Sequence, residues 1–151
     1  MNISPFPYTT EEGDQITEIA KGLVNAGFAD DEPKRAQRLS QLHDCLQKLI
    51  GKYGEHPTLI ELQADFADTF EEGMSLYQKA KQISMSLGLS IRSICLSMAV
   101  LVLREKDAKG EAREFLQECQ NEMGDANEYE LWKLEEINAA CNATTSSKGR
   151  L

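Results

Sequence analysis

Ten nearly uninterrupted apolar residues, Ile94-Cys-Leu-Ser-Met-Ala-Val-Leu-Val-Leu103, lie between Arg92 and Arg104. The run is about half the ~20 residues a membrane-spanning helix needs. It is apolar around most of a helical circumference, and such a helix has to be enclosed by neighbours on several sides. The chain therefore has to supply other helices to cover it, and this segment is expected at the centre of the core.

The rest of the sequence provides those helices. Thr9 or Thr10 caps a first helix with Glu11, Glu12 and Asp14 in its opening turn, where carboxylates favour the positive helix end. Ile16, Ile19, Leu23 and Val24 line its inner face, and it stops near Gly27. Asp30-Asp-Glu-Pro33 starts a second helix, with Leu39, Leu42, Leu46, Leu49 and Tyr53 inward and Gly54 as its stop. His56-Pro57-Thr58 opens a third, carrying Leu59, Leu62, Phe66 and Phe70. A fourth begins near Glu71 and uses Met74, Tyr77, Ala80, Ile83 and Leu87 before Gly88. Ser90 is expected to cap the fifth, the apolar helix. The sixth runs from about Asp107 with Ala112, Phe115, Leu116, Cys119 and Met123 inward, and Gly124-Asp-Ala-Asn127 breaks it. The seventh holds Tyr129, Leu131, Trp132, Leu134 and Ile137, with Tyr129 and Trp132 expected to cap the end of the core.

Alternating β-branched runs and Asn-Gly or Asp-Gly hairpin turns are missing, so the fold class is all-α: about seven helices in antiparallel hairpins, with an unrelated compact helical bundle as the alternative. At 151 residues one domain is the default, with residues 1–142 as a single helical domain and 143–151 as a disordered tail.

Charge and cysteines bound the partners. A formal net charge of -9 opposes the positive footprint that binding to a phosphate backbone requires, so nucleic acid is not an expected partner. The amino terminus lacks a basic end followed by an apolar run, and neither a leader nor a membrane span is expected. Cys45, Cys95, Cys119 and Cys141 are scattered, without the spacing of a zinc or redox motif. They read as free core thiols of a cytoplasmic protein. Asn2-Ile-Ser4 and Asn142-Ala-Thr144 match the glycosylation triplet but have no export signal beside them.

Catalytic chemistry is equally sparse. His43 and His56 are the two imidazoles; neither has metal-ligand spacing or a neighbouring nucleophile, and both are expected at surface or capping positions. Glu71-Glu72, Glu135-Glu136 and Asp30-Asp31-Glu32 sit at helix starts or on polar faces, where carboxylates stay solvated. Gly51-Lys-Tyr-Gly54 lacks the spacing of a phosphate loop. No enzyme, metal or cofactor is expected.

Leu96, Ala99, Val100 and Leu103, followed by Ala112, Leu116 and Cys119, resemble the large and small residues that interlock the two helices of a tetratricopeptide repeat. Gly73, Tyr77 and Ala80 are similar to the second helix of an earlier, irregular repeat. The resemblance covers residues 59–123. It departs from the family in lacking the proline that closes each repeat, for Met85 and Gly124 stand there instead. A stable array needs about three units; the first two helices are expected to supply a divergent hairpin and the seventh to close the stack.

The resemblance implies a non-catalytic interaction module, scaffold or chaperone-like, that takes a protein or peptide in a groove lined by the first helix of each hairpin. Ser97, Leu101 and Arg104 would face it, with Gln63 and Phe66 contributing. The family's lysine and asparagine clamp for a peptide carboxylate is absent, so its ligand class does not carry over. An acidic immunity or inhibitor-type protein masking a basic partner and a small-ligand-binding helical protein are the alternatives, and a homodimer through an exposed stack end is a further possibility.

Overall fold

The computed structural model describes residues 6–143. Among them are seven α-helices, one short 3-10 helix and no strand. The helices are α1 (Thr10–Phe28), α2 (Glu32–Tyr53), α3 (Pro57–Asp65), α4 (Phe70–Leu87), α5 (Arg92–Lys106), α6 (Lys109–Glu118) and α7 (Glu128–Asn142), with the 3-10 helix at Gln120–Asp125 between the last two. The tail expected beyond Ala143 and the Asn2 triplet lie outside the described residues.

Local chemistry sets most boundaries. Thr9 and Glu12 form a reciprocal capping box on α1, and the Asp31 carboxylate caps α2 ahead of Pro33. The His56 ring accepts from the Thr58 backbone N–H at the start of α3. Gly88 closes α4 in the left-handed region at φ 71°, where a side chain would strain the turn. Asp107, expected as the start of the sixth helix, instead ends α5 at φ 51°. Aspartate tolerates that conformation, and it displaces the helix start to Lys109.

Consecutive helices form the three main interfaces, α1 with α2, α3 with α4 and α5 with α6, and the short connections between them make antiparallel hairpins. Phe66 ends α3 and Phe70 begins α4, so the chain folds back between the two. Gly73 lies at that return, where a Cβ would stand at ordinary contact distance, 3.4 Å from Leu101 Cδ2 and 3.5 Å from the Ala64 carbonyl oxygen. α7 closes the stack against α5 and α6.

The expectation for the apolar run holds: Ile94, Cys95, Leu96, Met98, Ala99, Leu101, Val102 and Leu103 are all buried in α5. They divide between two apolar clusters, one shared with α3 and α4 and the other with α6 and α7. A third cluster packs Ile16, Leu23, Leu42, Leu46, Leu49 and Leu59 among α1, α2 and α3. Each such side chain removed from water contributes about 1.5–3 kcal/mol before conformational entropy is counted.

Further expectations need correction. Ser90 stands one residue outside the α5 cap, which is Ile91, although its Oγ still accepts from Arg92 N at 3.2 Å. The sixth helix ends at Glu118 and the chain tightens into the 3-10 helix, ahead of the Gly124 break. Tyr129 and Trp132 do not cover the core: they are exposed on the outer face of α7, while Ile137 and Cys141 take the inner one. Val24 and Leu87 also face outward.

Candidate functional site

The cap on α3 fixes the first pair of groups. With His56 and Pro57 at its start, Glu61 and Asp65 stand four residues apart, one above the other on a single face. α5 places Ser93 and Ser97 at the same spacing, polar positions on an otherwise buried helix. α4 brings Tyr77. α7 begins with the Asn127–Glu130 capping box, which turns Glu130 toward α5.

These groups meet between α3, α5 and the start of α7. Ser93 Oγ donates to Glu61 Oε2 at 2.5 Å, and the Tyr77 hydroxyl donates to Asp65 Oδ1 at 2.5 Å. Ser97 lies beside the Tyr77 hydroxyl. Arg92 Nε bonds Glu130 Oε1 at 3.3 Å in a largely buried ion pair. The adjoining cleft, about 420 Å³, has Phe6, Tyr8 and Leu62 among its walls. The Phe6 and Tyr8 rings meet edge to face at 6.0 Å.

Electrostatics set this cleft apart from the rest of the surface. Burial pushes the Glu61 carboxyl up to about 7; the Ser93 hydrogen bond and Lys133 oppose the rise, and the negative charges of Asp65 and Glu130 add to it. Asp65 keeps an exposed edge, yet the packing around its carboxyl raises its pKa too, against the Tyr77 hydrogen bond and Lys133. Tyr77 is raised by burial and by the Asp65 charge. The cleft therefore holds carboxyl groups that are short of positive charge, and Glu61 exchanges its proton near neutrality. A cationic group entering there would favour the ionised forms and expel protons.

Neither imidazole belongs to this cleft's carboxyl pair. His56 is a helix cap, and His43 Nε2 donates to the Phe66 carbonyl oxygen at 3.1 Å, in keeping with the capping and surface roles expected of them. Among the described residues no three His, Cys, Asp or Glu side chains gather as metal ligands, and no helix is long and apolar enough to cross a membrane. Cys45, Cys95, Cys119 and Cys141 are free thiols.

Of the five residues expected to line a groove, the structure brings Ser97 to the carboxylate cluster. Leu101 is 8% exposed and packs beneath Gly73 in the core. Gln63 lines a separate shallow cleft with His43 and Glu72. Phe66 packs toward the α1–α2 core, and Arg104 is exposed, 3.5 Å from Glu105. Glu61, Asp65 and Ser93 went unmarked in the sequence, although the four-residue spacing of two carboxylates on α3 and of two serines on an apolar helix was there to read. Tyr77 was assigned to packing alone.

Compared with known proteins, the chain matches no family model, and no curated protein or solved structure matches it significantly.

Proposed function

We propose that this protein is a non-catalytic interaction module that holds a cationic segment of a protein or peptide, a lysine or arginine side chain seated between Glu61 and Asp65. The observation that carries the reading is the carboxyl pair itself, oriented by Ser93 and Tyr77 and left with less positive charge than it needs. Groups whose ionisation is disfavoured by their surroundings are a mark of binding or reactive sites. The hairpin stack and the position of Ser97 support a tetratricopeptide-like scaffold. The free cysteines favour a reducing compartment, the cytoplasm.

The test is calorimetric titration of a short Lys- and Arg-containing peptide in two buffers of different ionisation enthalpy at pH 7. Binding should release roughly half a proton from Glu61, whose pKa lies at about 7. The Glu61→Gln, Asp65→Asn double variant should lose both the binding and the proton release. Unchanged affinity in that variant would exclude the cleft.

The net charge of -9 supports a second reading, an inhibitor-type protein that masks a basic partner through its whole acidic surface. Its association would be fast and strongly salt-dependent. The double variant would then leave affinity nearly intact while added salt abolished it.

A further inference from the structure

α7 carries large apolar side chains outside its inner face as well as on it. Its inner face buries Ile137 and Cys141 against α5 and α6. Its outer face exposes Tyr129, Leu131 and Trp132, at 62%, 45% and 55%. The Tyr129 and Trp132 rings lie 6.0 Å apart, tilted by 34°. Large apolar side chains exposed together on one helix mark a contact surface. Among the described residues α1 to α6 form pairs, whereas α7 faces an eighth helix nowhere.

The surface next to this patch is shaped for a helix. One turn on from Leu131, Leu134 joins Leu116 and Met123 in the floor of a groove of about 500 Å³ between α6 and α7. Gln117, Gln120 and Asn138 form its polar rim. An apolar floor beside a polar rim is the form that accepts the apolar stripe of an amphipathic helix.

The charges select which helix. Glu128, Glu135 and Glu136 are exposed and take part in none of the ion pairs among the described residues. Lys133, the basic residue of α7, is turned over the Tyr129 ring at 5.5 Å. Arg113, at the groove, donates to the Cys141 carbonyl oxygen at 2.7 Å. The exposed apolar side chains are thus bordered by three carboxylates that form no ion pair among the described residues. A second copy of this chain would set carboxylates against carboxylates in a protein already at -9.

We propose that the outer face of α7 is a docking surface for an amphipathic helix of a partner protein, apolar along one stripe and flanked by lysine or arginine. Trp132 and Leu131 are the apolar anchors, and Glu135 and Glu136 choose the sign of the partner. The docked helix completes a fourth hairpin in trans. This surface is separate from the Glu61 cleft and stands or falls independently of it.

Trp132 is the one tryptophan of the chain, so its emission reports contact at this face directly. The probe is a synthetic helical peptide of leucine and lysine without aromatic residues, titrated while tryptophan emission and peptide anisotropy are followed together. A saturable blue shift is expected with this peptide and none with its leucine and glutamate counterpart. The exposed-site variant Glu135→Lys, Glu136→Lys should bind at least about tenfold more weakly, since like charges then face each other. Leu131→Asp should abolish the shift, and Glu61→Gln, Asp65→Asn should leave it unchanged. Peptide binding with unmoved Trp132 emission would overturn the proposal, because the peptide would then sit elsewhere. An equal response to the acidic peptide would overturn it as well. So would a blue shift that grows with protein concentration alone, which would give the face to a second copy.

Discussion

Replacing Glu61 by glutamine should make the protein more stable, and the gain should depend on pH. In the unfolded chain this carboxyl titrates near its ordinary value of 4.5, whereas burial in the folded protein raises it to about 7. At pH 4 both states hold the proton and the wild type loses nothing. Between those two values the unfolded chain ionises first, so rising pH favours unfolding. Above pH 7 the full difference applies, and the gap between 4.5 and about 7, at about 1.4 kcal/mol per pH unit, comes to about 3 kcal/mol.

Glutamine keeps the volume and still offers Ser93 a carbonyl oxygen but has no proton to lose. Urea unfolding at fixed ionic strength should therefore find Glu61→Gln within about 0.5 kcal/mol of wild type at pH 4 and about 2–3 kcal/mol more stable at pH 8. In a chain of this size that corresponds to a Tm rise of roughly 5–10 °C. A gain that is the same at both pH values, or a loss at pH 8, would refute the argument that burial governs this carboxyl. Stabilisation on removing Glu61, joined to loss of peptide binding, would mark a side chain kept for its ligand at the expense of the fold.

Other substitutions test the remaining structure. Tyr77→Phe removes the hydroxyl that donates to Asp65 and should cost about 1–2 kcal/mol at pH 8, as read from urea midpoints. Leu46→Ala empties a fully buried site in the amino-terminal cluster and should cost about 2–5 kcal/mol, measured by the same unfolding curves. Gly88→Ala forces a side chain into the left-handed region and should lower stability by about 1–2 kcal/mol. Gly73→Ala meets its neighbours at ordinary contact distance and should be tolerated, whereas Gly73→Leu should overpack Leu101 and Ala64 by about 1–3 kcal/mol. Iodoacetamide should label Cys45, which is partly buried, well before Cys95, Cys119 and Cys141, whose reaction should follow unfolding.

Helix identity was legible in the sequence because most helices carry their own capping chemistry or inner stripe. Asp31, His56 and Gly88 act through hydrogen bonds and backbone geometry that hold wherever the helix docks. Ser90 misled because Glu122, distant in sequence, accepts from both Ser90 Oγ and the Ile91 backbone N–H at the entry to α5. The exposed aromatics of α7 misled for another reason. Their apolar character says only that water is unfavourable, and it does not say which neighbour removes the water. The carboxyl cluster needed the tertiary fold: the distance from Asp65 to Tyr77 and from Glu61 to Ser93 is set by how α3, α4 and α5 cross. Leu101 shows the converse, since its regular spacing from Ser97 could not reveal that α4 lies over it.

The attachment of the first hairpin has its own consequence. α5 belongs to two apolar clusters and ties α3 through α7 together, whereas α1 and α2 join the rest chiefly through α3. Cooperative units joined by narrow contacts open at lower free energy than the whole, so amide exchange should be faster in α1 and α2 than in α5. Tyr8, which walls the carboxylate cleft, packs against the cluster that α1 and α2 share with α3. How long a guest stays between Glu61 and Asp65 thus becomes partly a property of a hairpin that contributes neither carboxylate, and weakening α1 against α2 should shorten its residence while leaving the charges that attract it in place.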